Sequence, residues 1–207
     1  KDTKSRVSYA IGMNLGNQFR NDEVPIDPDL LFRGLNDALQ NKPTVFNETE
    51  MRKVLSDYQR EHMAKRAEKR KQLGEKNRAE GEKFLAENKT KPGVQTLPSG
   101  LQYKILTEGN GGSPKSNDTV TVNYRGTLID GTEFDSSYTR GQPATFQVNR
   151  VVKGWTEALQ LMKSGAKWQL FIPSELGYGE RGSGNKIGPN ATLVFEVELI
   201  SFTATAT

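Results

Sequence analysis

A long charged segment without proline limits the folds open to this chain. Residues 44–91 contain no proline, and Asn47 with Glu50 three positions later forms a capping box that predicts a helix start. From Gln59 to Asn88 the segment consists mostly of Lys, Arg, Glu and Ala, with few apolar residues. One helix over residues 47–88 would be roughly 60 Å long at 1.5 Å per residue. A helix that is polar on all sides is expected to bridge two folded parts through solvent.

Two shorter helices are predicted before this segment. An apolar residue at every fourth position predicts the first helix over residues 4–22, and Asp27 followed by Pro28 marks the start of the second. Two short helices cannot bury both of their apolar stripes alone. We therefore predict that residues 1–46 form a helical dimerisation domain that interlocks with a second chain through Val7, Ile11, Leu15, Phe19, Leu31 and Leu35.

The apolar period changes to two after the breakers at 91–93 and 98–100, which indicates strands and a new domain. Asp130-Gly131 is typical of a hairpin turn, and residues 154–162 form the one plausible short helix. Strands are predicted at residues 101–106, 119–124, 144–148, 168–172 and 192–199.

The predicted fold class is α+β, with a clear division along the chain. A long charged connecting helix over 47–91 follows the all-helical domain, and 92–203 form an antiparallel, twisted sheet wrapped on a short helix. Residues 204–207 are expected to be a disordered tail.

Composition excludes several kinds of chemistry. The chain has no cysteine and a single histidine, His62, which excludes disulfides, thiolate catalysis, Cys sites and His-pair metal sites. We therefore predict no metal and no cofactor. No apolar run of eighteen residues occurs, and the chain starts at Lys1 without a signal-like segment, which we interpret as a processed or trimmed form.

Four motifs in the last ninety or so residues are the most informative feature of the C-terminal part of the sequence. They occupy residues 122–128, 131–137, 151–155 and 176–179, the last leading into 191–199. Around Asp135 they place Tyr124, Phe134, Phe146, Trp155, Tyr178 and Phe195. This composition suits an apolar pocket with one or two oriented hydrogen bonds and supplies no nucleophile. Alternating aromatics are also common in plain strand cores, so from these residues alone both interpretations stay open.

The ordered set of motifs resembles the FKBP-type peptidyl-prolyl cis–trans isomerases over residues 100–202. Residues 8–16, Ser-Tyr-Ala-Ile-Gly-Met-Asn-Leu-Gly, precede the charged helix and are similar to the bacterial Mip and FkpA subfamily (macrophage infectivity potentiator-like). That subfamily has a helical dimerisation domain, a long helix and a C-terminal FKBP domain.

The resemblance implies a role for each residue of the pocket. Trp155 would form the floor beneath the proline ring, the Val152 N–H and the Tyr178 hydroxyl would hold substrate carbonyls, and Asp135 would face the rotating carbonyl. The catalytic residues would be Asp135, Tyr178, Trp155 and Tyr124. Substrate or inhibitor would also contact Phe134, Phe146, Val151, Val152, Ile187, Phe195 and, beside the aspartate, Arg140.

Three positions depart from the pattern of animal single-domain relatives. Ala144 replaces an aromatic residue, Arg150 an acidic one, and Lys186 a residue that is often apolar. They leave open the affinity for macrolide inhibitors of the FK506 and rapamycin type, and the preference for the residue before proline.

The predicted function is isomerisation of X-Pro bonds in unfolded or partly folded proteins, with chaperone activity, by a V-shaped homodimer. The resemblance implies the periplasm, outer membrane or surface of a Gram-negative bacterium, with secretion and a virulence role as further implications. A non-catalytic holdase or host-protein binding module is the alternative. Nucleic-acid binding is disfavoured, because glutamates interleave the basic residues of the long helix.

Overall fold

The computed structural model describes residues 2–205, which divide into two compact units. The N-terminal unit extends to Glu61 and the C-terminal unit begins at His62. Within the described residues, no helix combines the length and the apolar character needed to cross a membrane.

The N-terminal unit contains the two predicted helices, α1 (Thr3–Asn21) and α2 (Pro28–Leu39). The Asp27 carboxylate caps α2 by accepting hydrogen bonds from the backbone N–H groups of Asp29 and Leu30, at 3.0 and 3.2 Å. This confirms the helix start predicted from Asp27-Pro28.

The apolar stripes of α1 and α2 have little cover within one chain. Neither helix has a buried residue, and Ile11 and Leu35 remain 57% and 54% exposed. Of the six predicted dimer residues, Phe19 alone is half-buried, and the others are exposed.

The third helix, α3 (Glu48–Asn88), is one continuous element of 41 residues. The capping box is confirmed: the Asn47 N–H donates to the Glu50 carboxylate at 2.9 Å, and the Glu50 N–H donates to the Asn47 side chain at 2.8 Å.

The second half of α3 differs from the expectation of a helix solvated on all sides. Gly74, Gly81 and Asn88, spaced seven residues apart, are buried against other residues of the C-terminal unit, namely Asn190, Thr192 and Gln102. Seven residues are close to two helical turns, so these positions share one face. We define Gly74, Asn77, Gly81 and Asn88 as the docking face. The hydrophobic pattern did not reveal it because its members are small or polar.

The C-terminal unit is an antiparallel sheet in the order β1-β2-β6-β7-β3-β4, with β5 also paired to β3. Its strands are β1 (Val94–Thr96), β2 (Gln102–Thr107), β3 (Thr119–Leu128), β4 (Glu133–Ser136), β5 (Ala144–Gln147), β6 (Lys167–Ile172) and β7 (Leu193–Thr203). The α+β fold class is confirmed. Of these strands, β1 and β4 were not predicted, because each has only three or four residues and no clear alternation.

Two helices accompany the sheet, α4 (Ser137–Arg140) and α5 (Lys153–Leu161). Single-turn 3₁₀ segments occur at Val148–Arg150, Ser174–Leu176 and Gly179–Arg181. Helix α5 packs on the sheet through Trp155, Ala158 and Leu159, all buried, and it begins one residue earlier than predicted. A Cβ on Gly154 would lie 2.8 Å from Ile172, so glycine allows the close approach that seats Trp155 in the core.

Part of the expected disordered tail has hydrogen bonds. The Thr205 N–H donates to Asp118 at 3.2 Å, and its hydroxyl donates to the carbonyl of Asn117. Residues 206 and 207 lie outside the described residues.

Candidate active site

Trp155 forms the centre of an aromatic cluster in the C-terminal unit. The rings of Tyr124, Phe146 and Phe195 stand nearly perpendicular to the indole, at centroid distances of 5.1, 5.7 and 5.2 Å. Aromatic rings prefer such edge-to-face contacts, because the positive edge of one ring meets the negative face of the other. Trp155 is only 4% exposed, and within residues 2–205 its Nε1–H has no hydrogen-bond partner.

The sequence around these rings explains their positions. Tyr124 and Phe195 lie on the paired central strands β3 and β7. A Cβ on Gly126 would lie 2.7 Å from the rings of Phe134 and Phe195, so glycine allows those two rings to meet at 5.4 Å. The Tyr124 N–H donates to the buried Ser137 hydroxyl at 2.8 Å, which links the middle of β3 to the residue directly after β4.

The cluster borders a cleft of about 680 Å³. All the predicted wall and floor residues line it: Tyr124, Phe134, Asp135, Phe146, Val151, Val152, Trp155, Tyr178, Ile187 and Phe195. The structure thus brings together side chains from β3, β4, β5, α5, β7 and two loops. Ile187, in the loop after Tyr178, is buried, and its backbone exchanges two hydrogen bonds with Ser183, at 2.8 and 3.1 Å.

Asp135, Tyr124 and Arg140 form a closed hydrogen-bonded triangle at one side of the cleft. The Tyr124 hydroxyl donates to one carboxylate oxygen of Asp135 at 2.5 Å, and the Arg140 guanidinium donates to the other at 2.5 Å. Arg140 also donates to the Tyr124 oxygen at 2.7 Å. Arg140, which the resemblance placed beside the aspartate, contacts it here without lining the cleft.

The triangle alters the acid–base properties of its members. Partial burial raises the pKa of Asp135, but the hydrogen bonds from Tyr124 and Arg140 and the arginine charge outweigh it, so the pKa lies below its ordinary value. Burial raises the pKa of Tyr124, and its hydrogen bond to the Asp135 carboxylate raises it further. Asp135 is therefore an anion at neutral pH, and Tyr124 a neutral phenol.

Tyr178 lies across the cleft with its ring partly exposed. Partial burial and the negative charge of Asp135 raise the pKa of its hydroxyl, which is therefore protonated at neutral pH. No acceptor for the Val152 N–H occurs among residues 2–205. Both groups are in place to donate to an incoming carbonyl, the role that the resemblance implies for them.

Several rim residues were not predicted as site residues. The structure adds Arg150, Ser183, Gly184, Asn185 and Lys186 to the cleft lining. Arg150 directly precedes Val151, and residues 183–186 directly precede Ile187, so adjacency to predicted residues was one signal. The second signal was that Arg150 and Lys186 depart from the pattern of animal single-domain relatives. Among residues 2–205, neither Arg150 nor Lys186 forms an ion pair, which leaves two exposed positive charges at the rim.

The arrangement suits binding and orientation more than proton transfer. Its polar groups are an anion already bound by two donors, a neutral phenol and a backbone N–H, around an apolar floor. Within the described residues, no group of three or more His, Cys, Asp or Glu side chains could hold a metal ion. Such a cleft can hold an apolar ring, exclude water and direct a carbonyl.

Comparison with known proteins assigns the chain to a family. Residues 111–200 match the FKBP-type peptidyl-prolyl cis-trans isomerases, and residues 4–105 match the domain amino terminal to these isomerases.

Two curated relatives match almost the full chain. "Outer membrane protein MIP" of Legionella longbeachae is 50% identical over 198 residues, or 96% of this chain and 85% of that protein. "Peptidyl-prolyl cis-trans isomerase Mip" of Coxiella burnetii is 49% identical over 201 residues, or 97% of this chain and 87% of that protein.

A solved structure matches over both units. The crystal structure of FkpA from Escherichia coli has a TM-score of 0.76 and 38% identity, and it covers 100% of this chain and 99% of that one. With this fold, this cleft and these relatives, the chain belongs to the FKBP-type peptidyl-prolyl cis–trans isomerases and is of the Mip and FkpA type.

Proposed function

We propose that the cleft isomerises X-Pro bonds by seating the proline ring on Trp155 and holding the adjacent carbonyls with Tyr178 and Val152. The observation that supports this most is the set of three rings perpendicular to Trp155, with the Asp135 triangle on one side. An apolar floor of this shape matches a five-membered ring, and the donors match a peptide backbone.

The reaction needs no covalent chemistry. Rotation about the X-Pro bond crosses a barrier of about 18–20 kcal/mol, set by the conjugation of nitrogen with the carbonyl. At the twisted geometry this conjugation is lost and the amide is less polar. A water-excluding apolar cleft therefore stabilises the twisted amide relative to the planar one.

Asp135 determines the direction in which the substrate carbonyl rotates. Its carboxylate is ionised and held by Tyr124 and Arg140, so it cannot turn to follow the substrate. A fixed negative charge repels a carbonyl oxygen that rotates toward it and favours the orientation in which that oxygen meets the Tyr178 hydroxyl. Arg140 and Tyr124 would act through Asp135 by holding it in place.

The test is a double variant, Asp135→Asn with Tyr178→Phe, assayed on a proline tetrapeptide. We expect kcat/KM to fall at least ten-fold, which corresponds to about 1.4 kcal/mol of lost transition-state stabilisation. Asp130→Asn, in the exposed β3–β4 turn, is the control and should keep the wild-type rate. A double variant as active as the wild type would contradict the assignment.

We further propose that the protein acts as a homodimer through α1 and α2. The exposed stripe residues support this, because five of the six predicted contacts lack cover within one chain. Two joined isomerase units would bind two segments of one unfolded protein, which raises their combined affinity and supports a chaperone role.

The proposed compartment is the periplasm or outer surface of a Gram-negative bacterium, because a relative bears the name outer membrane protein MIP. A virulence role is part of the same proposal and depends on that placement. The alternative is a holdase whose binding does not need the cleft. An Asp135→Asn, Tyr178→Phe variant that loses catalysis but still suppresses aggregation would show that both activities exist separately.

A further inference from the structure

The loop after Tyr178 connects the cleft with helix α3. Its central residues, Ser183 to Ile187, line the cleft, and Ile187 is buried there. Its two flanks, Glu180 with Arg181 and Gly188 with Asn190, contact α3 instead. The same short loop therefore has one side in the cleft and the other on the helix.

Three side chains hold the flanks by hydrogen bonds. Asn77 donates to the Pro189 carbonyl at 2.9 Å, and Asn190 donates to the Gly74 carbonyl at 3.2 Å. At the other flank, the Arg70 guanidinium donates to the carbonyls of Glu180, at 3.3 Å, and Arg181.

The fit between the loop and α3 is close. A Cβ on Gly188 would lie 3.0 Å from Asn77 and 3.2 Å from Leu73, and a Cβ on Gly74 would lie 3.2 Å from Asn190. Asn190 has a left-handed backbone, with φ of 58°, and its N–H donates to the Gly179 carbonyl at 2.9 Å, which closes the loop on itself. The loop is therefore fixed by the helix and by its own closure.

We propose that Asn77, together with Arg70 and Gly74, is a positioning element of the isomerase, which holds the loop so that Ile187 closes the cleft. The inference rests on the proposed cleft. The helix supplies no group to the substrate, and it sets the distance between the Ile187 wall and the Trp155 floor. Loss of these hydrogen bonds would let Ile187 move away from Trp155 and admit water to the cleft. The proline ring would then be bound less tightly.

The experiment compares two Asn→Ala variants of the full chain. Asn77→Ala removes a bond to the loop, whereas Asn88→Ala removes the buried bond to Gln102, at 2.8 Å, which is part of the same docking face but does not touch the loop. We expect Asn77→Ala to raise KM for a proline tetrapeptide about three- to ten-fold with kcat nearly unchanged, because the wall binds ground and transition states alike. Asn88→Ala should lower stability and leave both constants unchanged.

Two further measurements separate positioning from folding. Arg70→Gln, at an exposed position, should fold normally and raise KM in the same direction, though less. Amide hydrogen exchange at Asn190 and Ile187 should speed up in Asn77→Ala and stay at the wild-type rate in Asn88→Ala.

Either of two results would overturn the proposal that Asn77 positions the loop. One is an unchanged KM in Asn77→Ala, and the other is an equal rise in Asn77→Ala and Asn88→Ala, which would show that the helix has only a structural role. Failure of the cleft itself would be recognised separately, as wild-type activity of the Asp135→Asn, Tyr178→Phe variant.

Discussion

Asp135 determines the expected pH dependence. Its folded-state pKa is lowered, so the carboxylate is charged from neutral pH down through the ordinary aspartate range, while the raised pKa values of Tyr124 and Tyr178 keep both hydroxyls protonated. We expect kcat/KM for a proline tetrapeptide to be constant between about pH 5 and 8. A bell-shaped profile centred near neutrality would contradict the proposed role of a fixed anion.

The same shift has a consequence for stability. A carboxylate with a depressed folded-state pKa stabilises the protein above its unfolded pKa of about 3.9, and this contribution is lost as the pH falls through the folded-state value. The difference in unfolding free energy between the wild type and Asp135→Asn should therefore be present at pH 7 and shrink on acidification. Denaturant titrations at several pH values would measure it.

The exposed charges of Arg150 and Lys186 predict a preference for acidic residues next to the proline. Asp135, the acidic residue of the cleft, is already bound by Arg140, so these two charges remain uncompensated. We expect a peptide with Glu before proline to exceed its Gln counterpart in kcat/KM by about three-fold at low salt, and the difference to vanish near 1 M salt.

Charge-neutral variants test the source of this preference. Arg150→Gln with Lys186→Gln should abolish the difference between the Glu and Gln peptides. The control, Lys104→Gln on β2 outside the cleft, should leave it intact. Equal rates for the two peptides with the wild type would contradict the prediction.

At the scale of elements, the docking of α3 depends on its glycines. A Cβ on Gly81 would overlap the hydroxyl of Thr192, which is buried, and would lie 3.3 Å from the Cβ of the same residue. We expect Gly81→Leu to lower the unfolding free energy by roughly 2 kcal/mol or more, because the helix must move away. Glu82→Leu introduces the same side chain on the exposed side of α3 and should change the unfolding free energy by less than about 0.5 kcal/mol. Chemical denaturation of both variants would test this, and equal losses would contradict it.

Local signals in the sequence were sufficient for most elements. Asp27-Pro28 and the Asn47/Glu50 box predicted helix starts within one residue, because capping involves only neighbouring residues. The alternation of apolar and polar residues predicted the longer strands. Strands β3 and β7 continue four residues beyond their predicted ends, because they pair with each other there. The docking face was not predicted, because glycine is needed at position 81 only to make room for Thr192, which is distant in sequence.

The candidate site also has a part that the sequence predicted and a part that it did not. The ordered motifs predicted Asp135 and the rings of Tyr124, Phe134, Trp155, Tyr178 and Phe195, since each occupies a fixed place in a short pattern. Ile187 was indicated by the family resemblance. The resemblance placed Arg140 beside Asp135, but its hydrogen bond to Tyr124 was not predicted. Arg150 and Lys186 were noted in the sequence only as departures from animal single-domain relatives. The helix contacts of the loop could not be predicted, because they join residues more than a hundred positions apart.

For the whole molecule, the boundary between units predicts how the chain can be divided. The C-terminal unit begins at His62 and includes the docked half of α3. We expect a fragment of residues 62–207 to be monomeric by sedimentation and to keep the wild-type kcat/KM on a tetrapeptide, while losing the ability to suppress aggregation. Full-length protein should sediment as a dimer.

A shorter fragment provides the control. Residues 92–207 lack the docking face, so Thr192 and Gln102 lose their cover, and this fragment should unfold at lower denaturant concentration than residues 62–207. A monomeric full-length chain would contradict the dimer, and equal stability of the two fragments would contradict a structural contribution from α3.

The seven-residue spacing of Gly74, Gly81 and Asn88 also determines which changes in length the chain can accept. Each residue added to an α-helix rotates everything beyond it by about 100°. A single insertion between Gly74 and Gly81 would turn one of them away from its partners, Asn190 or Thr192, whereas an insertion before Arg70 would leave the spacing within the docking face unchanged. Across natural variants of this protein, length differences within α3 should therefore fall before Arg70 and be rare between Arg70 and Asn88.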